Sequence, residues 1–207
     1  MSVEQHVFIV DDDEAVRESL AALLESHGFS AFTFPSALHF LAHSDRRVAG
    51  CLLSDVRMPE MDGLELQEKV AAKFPDLAVV IITGHGDVPL AVRAMKAGAT
   101  DFIEKPFTED VIIDAVRRAL QQAAQSKGPG AEIAAAAASR LTLLSPRERE
   151  VLEGLVAGLP NKTIAYDLGI SSRTVEIHRA RVMEKMRARS LSALVRLALA
   201  AGIVPTG

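Results

Sequence analysis

The chain has 207 residues, more than one small core needs and enough for two, and 49% of them are apolar. Residues 1–124 hold 11 Lys/Arg against 20 Asp/Glu, whereas 125–207 hold 12 against 7, so an acidic half precedes a basic half and suggests two partners, one of them a polyanion. The single cysteine, Cys51, excludes an intrachain disulfide and a cysteine-built zinc site, and without a signal peptide or a membrane-length apolar run the expected location is cytoplasmic, with no membrane partner.

In the acidic half, strand and helix signals alternate. Residues 7–10 are an apolar run ending in Asp11, Asp12 and Asp13. Arg17, Leu20, Leu23 and Leu24 form a helical stripe, capped by Asp13 and ended by Gly28. Residues 29–34 predict a second strand and 35–43 a second helix. Residues 51–54, opened by Cys51 as a buried small hydrophobe, predict a third strand and 64–74 a helix stopped before Pro75. A fourth strand over 78–83, a helix over 88–96, a fifth strand over 101–103 and a last helix over 110–122 follow. Short apolar strands alternating with helices imply an α/β domain with a doubly wound parallel sheet. Residues 121–140 break the pattern. Ser126, Gly128, Pro129 and Gly130 are a breaker cluster, and the alanines at 134–138 are helix formers with nothing to bury. Residues 123–140 are therefore expected to link a domain of 1–122 to one of 141–207, flexible at Gly128-Pro129-Gly130 and helical at the alanines.

Ligands of doubly wound sheets bind at the carboxyl ends of the strands. Asp11 and Asp12 follow strand one, Asp55 strand three, Thr83 strand four and Lys105 strand five. Taken singly, Asp55 reads as a loop acid and Lys105 as its ion-pair partner. Together, three carboxylates in one cleft repel unless a cation neutralises them. Mg²⁺ (or Mn²⁺) suits all-oxygen ligands, while a lysine ammonium and a threonine hydroxyl suit phosphoryl oxygens.

From Leu141 the signals are helical. Ser145-Pro146-Arg147-Glu148 is a capping box with proline at the first helical position. Asn161 is expected to cap a short helix ended by Gly169. After a tight turn, Ser171 or Ser172 caps a longer helix running to about Met186, the helix-turn-helix arrangement, and Leu191, Leu194, Val195, Ala198 and Leu199 mark a further helix. On the longer helix Val175, Val182 and Met186 share one side, and Arg173, Glu176, Ile177, Ala180 and Arg181 the other. Sorted by chemistry, Lys162, Thr174, Arg181 and Lys185 are expected at phosphates, Glu176 at a cytosine amino group and Ile177 at a thymine methyl. Arg173 suits guanine or phosphate, and Ser172 and His178 complete the DNA-facing set, with His178 reading as readily as a packing or phosphate-side residue as a base reader.

The segments Val10-Asp11-Asp12, Leu53 to Gly63 with its Asp55-Val56-Arg57-Met58-Pro59, Ile82-Thr83-Gly84-His85-Gly86-Asp87, Lys96-Ala97-Gly98-Ala99 and Lys105-Pro106-Phe107 resemble the receiver domain of two-component response regulators over residues 5–122. The resemblance implies a flavodoxin-like sheet of order 2-1-3-4-5 and Asp55 as phosphoacceptor. It implies a Mg²⁺ site of Asp11, Asp12, Asp55 and the Arg57 backbone carbonyl, and phosphoryl binding by Thr83 and Lys105. Lys105-Pro106 would be a cis peptide, and Thr83 with Phe102 the switch, although Phe102 lacks the hydroxyl that a tyrosine there would offer. Residues 141–203 resemble the four-helix DNA-binding domain of the LuxR/NarL class through Leu144 to Leu152, Gly158 to Ala165 and Ser172 to Arg179, with Lys185-Met186 at the helix end.

A receiver joined to this output domain is the FixJ/NarL plan. The Thr83 to Pro89, Asp101 to Phe107 and Leu159 to Leu168 segments lean toward its nitrogen-fixation branch. The resemblance implies a transcriptional activator rather than a turnover enzyme. Its expected partners are a sensor histidine kinase of the oxygen-sensing kind, promoter DNA, RNA polymerase and, after phosphorylation, a second copy of the chain. Regulators of aromatic catabolism share much of this plan. A constitutive DNA-binding protein with a silent receiver would lack pocket residues that are all present here, and a metal-dependent phosphohydrolase would need a general acid that the sequence does not identify.

Overall fold

A computed structural model describes residues 5–44, 49–84, 88–124 and 130–203. The His85-Gly86-Asp87 motif and Ser126 to Pro129 lie outside these residues. The chain divides into two compact units, one of residues 1–86 with 96–126 and one of 87–95 with 127–207.

In chain order come β1 (His6–Val10), α1 (Glu14–Ser26), β2 (Ser30–Phe34), α2 (Ala37–His43), β3 (Gly50–Asp55), α3 (Gly63–Lys73), β4 (Leu77–Thr83), α4 (Val88–Lys96), β5 (Asp101–Glu104) and α5 (Glu109–Ala124). The strands form one parallel sheet of order β2-β1-β3-β4-β5, the doubly wound order expected. All six residues of β3 are buried, as a central strand covered on both faces must be. On one face Val7, Ile9, Leu53, Val80 and Ile82 pack with Leu20 and Leu24 of α1 and Ile112 and Val116 of α5. Residues one step along the strands point the other way, and there Leu52 and Ile81 are fully buried, as is Phe40 of α2, whose ring meets Phe8, Phe34 and Phe74. Asp13 caps α1 by accepting from the N–H groups of Ala15 and Val16. Ser36 caps α2, so the helix starts two residues after Pro35. Cys51 is fully buried, and burial pushes its thiol pKa up.

The second unit holds α6 (Gly130–Leu141), α7 (Pro146–Val156), α8 (Asn161–Leu168), α9 (Ser172–Met186) and α10 (Leu191–Ala200). Two expectations are corrected. The alanines of the 123–140 segment, expected to be helical with nothing to bury, are helical as part of a helix that starts at Gly130, but that helix packs against α10 and α9. Ala137 is fully buried and Leu141 nearly so, while Ala135, Ala136 and Ala138 are exposed, so the helix buries surface along the Ala137–Leu141 side. Asn161 is not the cap of α8. Pro160 occupies that position without a side-chain bond, and Asn161 is the first helical residue.

The capping box of α7 is complete: Ser145 Oγ accepts the Glu148 N–H, and Glu148 Oε2 accepts the Ser145 N–H at 2.8 Å. Glu148 is nevertheless buried, and the same Oε2 takes a second hydrogen bond, from Lys185 Nζ at 2.7 Å, in the last turn of α9. One carboxylate thus ties the start of α7 to the end of α9. The Lys185 bond first, and the Ser145 N–H second, hold the Glu148 carboxyl below its ordinary range. A carboxyl depressed by folding contributes stability that is present above its unfolded pKa and lost as pH falls through the folded value. Lys185→Met is therefore expected to lower the urea midpoint of this unit at pH 7, by an amount equivalent to roughly 1–3 kcal/mol because Lys185 is partly solvated. The difference from wild type should begin to shrink below about pH 4.5, the ordinary glutamate value, and close as pH falls through the depressed folded value. Parallel pH profiles for the two proteins would count against the link.

Candidate functional site

The order of the sheet reverses at β1, whose neighbours β2 and β3 lie on either side, so the chain leaves the C-terminal edge in opposite directions and opens a crevice between β1 and β3. Asp11 follows β1 and Asp55 ends β3. Both are buried, at 3% and 8% exposure. Lys105, one residue beyond β5, bridges them, with Nζ 2.9 Å from Asp11 Oδ2 and 2.8 Å from Asp55 Oδ1. Two carboxylates within reach of one ammonium are at most about 6 Å apart, and their repulsion at an effective dielectric near 20 is about 3 kcal/mol. Burial alone would lower the pKa of Lys105. The hydrogen bonds to Asp55 and Asp11 outweigh it and hold the ammonium above the ordinary lysine value, so it stays charged.

The remaining carboxylate oxygens are also fixed. Asp55 Oδ2 accepts the Arg57 N–H at 2.6 Å and Asp11 Oδ1 the Asp13 N–H at 2.9 Å. Thr83 is buried at the end of β4, and its carbonyl accepts the Lys105 N–H at 2.7 Å, tying the β5 exit to that strand. The Lys105-Pro106 peptide is cis. Asp12, next to Asp11 in the same turn, and Arg57 are exposed. Phe102 is half-buried on β5, opposite Ile81 of β4. Thus Asp11, Asp55 and Lys105 are brought into direct contact and Thr83 is joined to them through backbone. Asp11 and Asp55 share the Lys105 ammonium, and their oxygens are donors of the type Mg²⁺ takes, although among the described residues no group of three or more His, Cys, Asp or Glu is arranged to hold a metal ion.

Arg17 and Gly63 belong to this arrangement too. Arg17 reads from the sequence as one member of the α1 stripe, but its guanidinium donates to the Asp11 carbonyl at 2.7 Å and braces the turn that aims Asp11. Gly63 opens α3 against the end of β3: its N–H donates to Val56 O at 2.9 Å, and a Cβ there would overlap the Asp55 carbonyl oxygen.

In the second unit α8 ends at Gly169, in the left-handed region with φ 65°, and Ser171 caps α9 by accepting the Thr174 N–H. Three residues thus separate the two helices. Val175, Val182 and Met186 are fully buried, while Arg173, Glu176, Ile177, Ala180, Arg181 and Glu184 are exposed along one face, with Ile177 at 48%. Lys162 is exposed on α8. Ser172 and Thr174 are half-buried, and the Thr174 hydroxyl lies 2.8 Å from that of Ser171. His178 is half-buried, and its Nδ1 has no hydrogen-bond partner among the described residues. Lys185 departs from expectation, because its ammonium points to Glu148 rather than outward with Arg181.

The family model of the response regulator receiver domain matches residues 7–117, and that of bacterial regulatory proteins of the luxR family matches residues 142–198. The chain belongs to the two-component response regulators, and is a transcription regulator with a receiver and a LuxR-type DNA-binding domain. Within that class it is FixJ-like. The transcriptional regulatory protein FixJ of Azorhizobium caulinodans is 54% identical over 199 residues, covering 96% of this chain and 94% of that protein. The response regulator protein TmoT of Ectopseudomonas mendocina is 44% identical over 194 residues, 94% and 88% of the two chains. The crystal structure of full-length FixJ from B. japonicum is 49% identical and covers 98% of this chain and all of its own, with a TM-score of 0.55. A receiver of this family generally binds Mg²⁺ at its acidic site and implies a sensor kinase, and a LuxR-type domain implies DNA.

Gly63→Ala should be destabilising by roughly 1–3 kcal/mol, because the start of α3 must retreat from β3. The measurement is urea denaturation of the full chain. A midpoint equal to wild type would mean that the Asp55 carbonyl is not packed against residue 63.

Proposed function

We propose that Asp55 accepts a phosphoryl group from a histidine kinase and that this controls promoter binding by α9. The observation carrying the proposal is the Lys105 ammonium held between Asp11 and Asp55 at the switch point of the sheet. In the transfer, an Asp55 carboxylate oxygen bonds to phosphorus as the bond from phosphorus to the kinase imidazole nitrogen breaks, and that nitrogen keeps the electron pair. Lys105 exchanges its carboxylate contacts for a phosphoryl oxygen, and the Thr83 hydroxyl donates to another. When bound, Mg²⁺ (or Mn²⁺), held by Asp11, Asp12, Asp55 and the Arg57 carbonyl, would neutralise charge on the transferred oxygens. The chain catalyses no other reaction than its own phosphorylation and dephosphorylation.

Movement of Thr83 toward the phosphoryl group would free space for the half-buried Phe102, a two-state element biased by one covalent group. We infer that the receiver, residues 1–122, then pairs with a second copy and sets two DNA-binding domains, each from 141 onward with α6 packed behind it, on two half-sites. The setting is cytoplasmic, the kinase senses oxygen, RNA polymerase is the downstream partner, and the targets are nitrogen-fixation and microaerobic genes. Incubation with acetyl phosphate and Mg²⁺ should add one phosphate to the wild type by intact mass, and the phosphorylated sample should sediment as a dimer. Asp55→Asn should show neither change. A full-yield adduct on Asp55→Asn would sink the assignment, and a phosphorylated monomer would sink the pairing.

On the DNA side, Lys162 and Arg181 are placed at phosphates with Ser172 and Thr174, Arg173 at phosphate or guanine, and Glu176 and Ile177 at base edges. His178 serves packing, and Lys185 braces the helix end. Arg181→Ala should lower affinity for all sequences and reduce the salt slope by about one. Ile177→Ala should keep the slope and relax sequence preference, as read by competition binding at several salt concentrations. The reverse pattern would invert the assignment of the two positions.

A further inference from the structure

Helix α8 buries Ile164 and Ala165 and turns Lys162, Thr163, Tyr166 and Asp167 outward. Tyr166 stands apart from the other three. At 87% it is the most exposed large hydrophobic side chain among the described residues, well beyond Ile177 on α9. A single exposed ring is common on protein surfaces, so its place on the helix decides what it is for. Lys162, Tyr166 and Gly169 recur at the four- and seven-residue spacing that makes one stripe along a helix, all three exposed. Asp167 lies about 100° round from Tyr166, off that stripe. The stripe ends where the chain turns at Gly169, and two residues later Ser171 caps α9. Tyr166 therefore sits on the line that leads from Lys162 to the N-terminal end of α9.

In a helix-turn-helix the N-terminal residues of the second helix meet base edges while the first helix crosses the sugar–phosphate backbone. A phenol suits that backbone at both of its surfaces. Its O–H can donate to a phosphate oxygen, and its ring can lie on the apolar face of a deoxyribose. We propose that Tyr166 is a DNA-backbone contact beside Lys162, its hydroxyl donating to a phosphate oxygen and its ring packed on the adjoining sugar. The proposal rests on the reading of α9 as the helix that meets base edges. Tyr166 reads no base, so it is a positioning residue that holds α8 on the backbone while α9 occupies the groove. A neutral group displaces no counterion, so its contribution to affinity persists as salt rises, whereas that of Lys162 or Arg181 declines.

The test uses the full chain, treated with acetyl phosphate and Mg²⁺ and titrated with short mixed-sequence duplexes at several salt concentrations. Tyr166→Phe should weaken binding about threefold or more, through loss of one hydrogen bond to a charged acceptor, and Tyr166→Ala should weaken it further. Both losses should be equal for every duplex and leave the salt slope at its wild-type value. Both variants should unfold close to the wild-type urea midpoint, because the side chain is exposed. Tyr166 is the only tyrosine, so 3-fluorotyrosine labels one position, and its single fluorine resonance should move as duplex is added. Wild-type affinity in Tyr166→Ala overturns the proposal. If Arg181→Ala weakens binding in the same assay, that failure is confined to Tyr166, whereas if Arg181→Ala also binds as wild type, the placing of DNA on α9 falls with it. Loss of transcription by Tyr166→Ala at unchanged DNA affinity would assign the residue to the polymerase, and a reduced salt slope would mean that a charge contact was lost. Either result would equally overturn it.

Discussion

Asp11 and Asp55 are driven into one crevice by the register of the sheet and kept there by one cation. Val10 pairs beside Ser54, so the strand ends that carry the two acids are neighbours whatever their charges prefer. Lys105 arrives from two strands away, its backbone fixed by Thr83 and its ammonium shared between the acids. One positive charge against Asp11, Asp12 and Asp55 leaves the crevice negative. That deficit favours a cation there over a second anion. The apolar strands, the exit turn braced by Arg17 and the close approach at Gly63 all keep this unequal set of charges in place.

The second unit solves a related problem with a neutral pair. α9 must present one face outward while the other joins the core, and a helix held only by Val175, Val182 and Met186 could still pivot at its end. The Glu148–Lys185 link fixes that end to the first turn of α7. The cost of burying Glu148 is offset because its carboxylate also completes the capping box, so one side chain serves helix initiation and helix placement.

Much of this was legible in the residues themselves. Apolar runs bounded by turn signals mark all five strands, and the polar residues after them mark the crevice. The alternation of buried and exposed positions along 173–186 follows from helical periodicity. What stayed hidden depends on a partner far away in the chain. Glu148 reads as an ordinary capping acid, because its burial exists only once α9 lies against α7. Lys185 reads as one more base in a basic helix for the same reason. Arg17 looks like a stripe residue until the turn at Asp11 curls back to it. The alanines of α6 have no apolar period and so seem to bury nothing, and Asn161 resembles a cap because residue type cannot say where the backbone turns helical.

The burial of Ala137 and Leu141 bears on how such regulators exchange parts. If the DNA-binding half began at Leu141, recombination there would transplant it whole. Instead α6 lies against α10 and α9, and Arg140 donates to the Met186 carbonyl at the end of α9 at 3.2 Å. A chimera joined at 141 would replace that helix with one shaped for another surface and leave the back of α10 poorly covered. A join placed before Gly130 would instead carry α6 along with the two helices it packs against.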